Sequence, residues 1–105
     1  MAKGENPVLD ALVEINVASL QRTELDPQSL MLVRLAALIA VDAPVSSYLL
    51  HLGPAADAGV TVDQAQDVLV AVAPIVGTPR TAAAAGKIAE ALDLAIILAE
   101  SDQDA

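Results

Sequence analysis

One imidazole, His51, is the only side chain here suited to proton transfer near neutral pH. An ordinary imidazole titrates at about 6.5, so it can act as acid or base under physiological conditions, and His51 is the candidate catalytic residue. It lies in "DAPVSSYLLHLGPAADAGVT", Asp42 to Thr61. Helical spacing puts Pro44, Ser47, Tyr48, His51 and Ala55 on one face, where Ser47 and Tyr48 can orient the ring. His51 also runs beside the apolar stripe Val45, Leu49, Leu52 and Ala56. That position equally suits a ring that bonds a nearby carbonyl or water and does no chemistry. Ser46 and Ser47 have no histidine–acid relay in the sequence to activate them as nucleophiles. Tyr48 is expected to supply core area with its hydroxyl bonded to a partner.

Two arginines could bind an anion. Arg80 stands at the start of the last helix, where the helix N-terminus would help it. Arg34 sits in an otherwise apolar helix. If buried, it is expected to pair with an acid of a neighbouring helix or subunit. The carboxylates Asp57, Asp63, Asp67, Glu90 and Asp93 read as a solvated face. With a single histidine and no paired E-x-x-H motif, neither a metal site nor any cofactor is expected.

Fourteen acidic residues against five basic ones give a formal net charge of −9. The basic residues Lys3, Arg22, Arg34, Arg80 and Lys87 are scattered, so no cationic stripe is available for phosphates. Nucleic acid and anionic membranes are therefore not expected as partners. Without cysteine, the chain forms no disulfide, thiolate metal site or redox thiol. The start, MAKGENP, has no signal-like apolar core, and the apolar runs fall short of the roughly 20 residues of a membrane span. The expectation is a cytoplasmic protein of one domain over residues 1–105, with frayed ends near 1–5 and 101–105.

The elements that position these residues are helices. Asn6-Pro7, Asp26-Pro27 and Thr78-Pro79 each place a capping side chain before a proline. Thr61 to Gln64 reads as a capping box, Asp42 as the cap of a helix with Pro44 in its first turn, and Gly59 and Gly77 as helix ends. Five helices are predicted, at about 7–22, 27–41, 43–58, 62–76 and 79–100. Pro54 and Pro74 are expected to kink or shorten the third and fourth, and the Pro54 step could split the third in two. "LMLVRLAALIAV" and "LDLAIILA" are apolar nearly all round, more than five helices can cover, so a homo-oligomer is expected.

"LVRLAALIA", "HLGPAADAGVTVDQAQDVL" and "VGTPRTAAAAGKIAEAL", in that order, resemble the carboxymuconolactone decarboxylase family, which includes the alkylhydroperoxidase D-like proteins. The resemblance covers roughly residues 25–92. It implies an all-α helical bundle and a homo-oligomer, often a trimer or hexamer. The peroxidase branch carries C-x-x-C-x-x-x-H on this helix. Here the cysteine positions hold Pro44 and Ser47, and the region of the expected upstream glutamate holds Met31-Leu32. Dithiol peroxidase chemistry is thereby excluded. The decarboxylase branch, as the resemblance implies, keeps a histidine at the position of His51. On that analogy His51 would protonate the developing dienolate, and Arg34 or Arg80 would hold a substrate carboxylate. Two functions follow as expectations. One is a non-redox oligomeric binding or structural module. The other is a cofactor-independent, decarboxylase-type lyase on a small carboxylic acid or lactone.

Overall fold

Helix starts follow the proline signals. In the computed structural model, which describes residues 6–104, the order is α1 Pro7–Arg22, α2 Pro27–Ala40, α3 Val45–Asp57, α4 Val62–Val76 and α5 Thr78–Asp104. The fold is all-α, as expected. Asn6 accepts from Leu9 N–H, Asp26 from Ser29 N–H, and Thr61 and Gln64 form the reciprocal capping box. Thr78 is not a cap. It is the first residue of α5, and the Gly77 carbonyl accepts both the N–H and the hydroxyl of Thr81. Helix α5 runs to Asp104, and of the ends expected to fray, residues 1–5 and 105 lie outside the described residues.

The reading of Asp42 as an N-cap is corrected, because Pro44 holds that position without a side-chain bond. Asp42 instead ends α2. Its φ is +57°, its N–H donates to the Ile39 carbonyl, and Ala43 N–H donates to the Leu38 carbonyl. This is the Schellman pattern, with aspartate in the left-handed position that glycine usually takes. The end of α3 repeats the pattern with glycine: Gly59 has φ +85°, its N–H reaches Ala56, and Val60 N–H reaches Ala55.

Neither internal proline breaks its helix. Each falls in the last turn, so few residues follow the lost bond. The carbonyls deprived of a donor belong to Leu50 and Val70, which are strongly exposed, and water can serve them.

Helices α2 to α5 pack on one another, and the closest association is between α3 and α5. Ala84, Ile88 and Ala91 form one face of α5 at spacings of four and three. Tyr48 of α3 lies in the cluster they build with Ile39 and Ala43. The one-carbon side chains let the two helices approach and leave room for the phenol ring.

Helix α1 does not join this core. No Cα of α1 comes within 8 Å of a Cα of another helix, and none of its residues is buried. Its seven large apolar residues, from Val8 to Leu20, are 42–69% exposed. The sequence marks an apolar face on α1 but does not show that this face lacks a partner within the chain. On α5, Leu94, Ile96, Ile97 and Leu98 are also exposed, on a helix read as too apolar to be covered. The Cα radius of gyration is 15.3 Å, against about 13 Å for a compact chain of this length.

Candidate functional site

The α3 face carrying Tyr48, His51, Leu52, Ala55 and Ala56 forms one wall of a cavity of about 420 Å³. The Schellman turn at the end of α3 turns the chain so that Val60, Thr61 and Val62 make a second wall, joined by Ala65 of α4. Gln28 of α2 holds this turn by donating to the Gly59 carbonyl at 3.1 Å. Met31 and Leu35 of α2 close another side, and Ile88, Leu92, Ala95, Ile96 and Ala99 of α5 complete the lining. Sequence reasoning missed these apolar residues. The available signal was Ala91, Ala95 and Ala99 at four-residue spacing, a strip of small side chains that leaves volume beside a helix.

His51 is half-buried, and its Nδ1 lies 2.7 Å from the Ser47 carbonyl oxygen. A carbonyl oxygen can only accept, so Nδ1 carries the hydrogen. In the neutral ring Nε2 then holds the lone pair. Among the described residues Nε2 bonds no protein group, yet it is not a buried orphan, so a ligand or solvent can reach it. Ser47 therefore holds the imidazole through its backbone carbonyl, and it does not line the cavity.

Tyr48 lines the cavity at 2% exposure, but among the described residues its hydroxyl has no hydrogen-bond partner, contrary to the expected satisfied phenol. Burial raises its pKa above the ordinary value, and the Asp42 carboxylate adds to the rise.

Neither arginine lines the cavity. Arg34 donates to Asn16 Oδ1 at 2.6 Å and Ser19 Oγ at 3.0 Å, tethering α1 to α2. Its partners are thus neutral groups of α1, and the expected acid is absent among the described residues. Asn16 and Ser19 lie within the apolar face of α1, so the guanidinium occupies ground where a leucine would otherwise pack. Arg80 donates to the Ala40 carbonyl at 2.9 Å, beside the α2–α3 turn. There Lys87 pairs with Asp42 at 2.8 Å, and the Lys87 hydrogen bond and charge lower the Asp42 pKa. The structure brings His51 and Tyr48 together at the cavity and places Ser47, Arg34 and Arg80 elsewhere. Among the described residues no group of side chains is arranged to hold a metal ion, and no helix is long and apolar enough to cross a membrane.

Fold and site together define a class: an all-α, cysteine-free domain with a histidine at the edge of an apolar cavity. The model of the Carboxymuconolactone decarboxylase family matches residues 6–91, and the chain belongs to that family. The match extends the resemblance seen from about residue 25 onward to include α1. No curated protein and no solved structure gives a significant match to the chain.

Proposed function

We propose that this chain is a non-redox, homo-oligomeric member of its family that binds a small molecule in the His51 cavity. The carrying observation is the cavity itself. Its volume is in the range of small-molecule sites, its walls are almost wholly apolar, and they include His51, whose Nε2 bonds no protein group among the described residues. No thiol is present to reduce a peroxide.

Assembly is supported by uncovered apolar surface: seven large apolar residues of α1 are 42–69% exposed, and Leu94, Ile96, Ile97 and Leu98 of α5 are exposed as well. Light scattering on the eluting protein should give three or six times 10.7 kDa. Replacing Leu12 and Leu20 of α1 by glutamate should lower that mass without unfolding the α2–α5 core. A monodisperse wild-type monomer at micromolar concentration refutes the assembly. Binding is tested by titrating ethylbenzene against the proton spectrum of the two cavity rings, where saturable shifts are expected. Unmoved rings refute the binding site.

A second reading, the cofactor-independent lyase, has one observation in its favour. The Ser47 carbonyl fixes one tautomer of His51 and leaves Nε2 free, as a general acid–base requires. In such a reaction the bond to the carboxylate breaks, carbon dioxide leaves, and protonated His51 delivers a proton to the carbanionic carbon. Among the described residues the cavity offers no cation to hold the carboxylate, which favours binding over decarboxylation. If His51→Gln abolishes turnover of an acid or lactone that the wild type consumes, the order reverses.

A further inference from the structure

Building on the binding reading, we infer that the ligand class of this cavity is an uncharged, largely apolar molecule with one hydrogen-bond donor, such as a phenol or alcohol, and not a carboxylate. Three features carry this. First, Nδ1 of His51 is committed to the Ser47 carbonyl, so the neutral ring presents only an acceptor, Nε2, to a ligand. A donor satisfies that atom, whereas a carboxylate at neutral or alkaline pH adds a second lone pair against it. Second, among the described residues no lysine or arginine lines the walls. Arg34 is engaged with α1, while Arg80 and Lys87 are engaged at the α2–α3 turn. An anion entering here would lose its hydration without gaining a counter-charge. Third, the two cavity hydroxyls offer no second anchor: that of Tyr48 is out of contact with solvent, and that of Thr61 donates to Gln64 Oε1 while accepting from Gln64 N–H. Volume sets the size. A cavity of about 150 Å³ holds benzene, so 420 Å³ admits roughly 15 non-hydrogen atoms.

The chain provides its own reporters, because it has one histidine, one tyrosine, and no phenylalanine or tryptophan. The aromatic proton spectrum of the whole protein therefore contains only the His51 and Tyr48 rings. The probes are para-ethylphenol, ethylbenzene, para-ethylanisole and para-ethylbenzoate, titrated at about pH 8.5. Para-ethylphenol should bind more tightly than para-ethylanisole, which keeps the oxygen and loses the donor. Para-ethylbenzoate should produce no saturable shift. In His51→Leu the phenol would bury an unpaired hydroxyl, so the phenol-to-ethylbenzene affinity ratio should fall by roughly ten- to a hundredfold. Equal binding of phenol and anisole, or benzoate binding at least as tightly as phenol, overturns the ligand class. If ethylbenzene still binds in that case, the binding site itself survives. Failure of all four probes to move either ring refutes the cavity as a binding site, and the inference with it. The comparisons among probes use the wild type alone, so they stand even if His51→Leu does not fold.

Discussion

Tyr48→Phe should stabilise this protein. The ring of Tyr48 lies at 2% exposure in the cluster with Ala84, Ile88 and Ala91, and phenylalanine keeps that packing. What it removes is a hydroxyl buried without a partner. Leaving such a group unsatisfied costs about 1–3 kcal/mol in mutational series, and local relaxation recovers part of that. A gain of about 1 kcal/mol is therefore expected. With an unfolding entropy of roughly 2.1 cal/mol/K per residue, a chain of this length should melt about 4–5 °C higher. The assay is thermal and urea unfolding followed by far-ultraviolet circular dichroism, with protein concentration held equal because assembly makes stability concentration-dependent. Tyr48→Ala is the control, and losing the ring should cost about 3–5 kcal/mol. A loss of 1 kcal/mol or more in Tyr48→Phe would refute the reasoning, because the hydroxyl would then have a partner, such as a neighbouring subunit.

The same phenol gives an alkaline prediction. Its folded pKa is raised, so above the ordinary value of about 10 the unfolded chain loses its proton first, and stability falls as pH rises through that range. As the only tyrosine, Tyr48 can be followed directly by phenolate absorbance, and a titration at or below the free-tyrosine value would contradict its burial. Asp42 runs the opposite way. Its pKa is lowered by Lys87, so its contribution is present above the unfolded value of 3.8 and is lost as pH falls below it. Lys87→Met should flatten that part of the acid unfolding curve. At the left-handed Asp42 position, Asp42→Gly should stay within about 1 kcal/mol of wild type, whereas Asp42→Val should cost about 2 kcal/mol or more, measured by urea midpoint. Thr61→Ala removes the half of the capping box in which Gln64 N–H donates to the Thr61 hydroxyl, leaves the half in which the residue 61 N–H donates to Gln64, and should cost about 1 kcal/mol on the same assay.

Much of this protein was legible before any fold was known, because its helix signals are local. A capping oxygen acts within three residues and a proline within four. Asn6-Pro7, Asp26-Pro27 and the Thr61–Gln64 box therefore mark starts that the folded chain keeps. Cysteine count is equally indifferent to folding, and it alone removes thiol chemistry. Asp42 shows the limit of local reading. Aspartate caps a helix start far more often than it takes a left-handed helix end, and the ion pair to Lys87, 45 residues away, exists only in the fold. Which helix lacks a partner was also a tertiary matter. The apolar face of α1 reads like any core-facing helix, and the geometry of α2 to α5 leaves it outside. So too with the candidate site. The sequence singles out His51, because residue type carries acid–base potential wherever it stands. The turn of α3 itself commits Nδ1 to the carbonyl four residues back, but only the packing of α2 to α5 sets His51 in an apolar cavity apart from Arg34 and Arg80. Side-chain chemistry is inherited from the residue, but the environment that selects among its uses is made by contacts between distant segments.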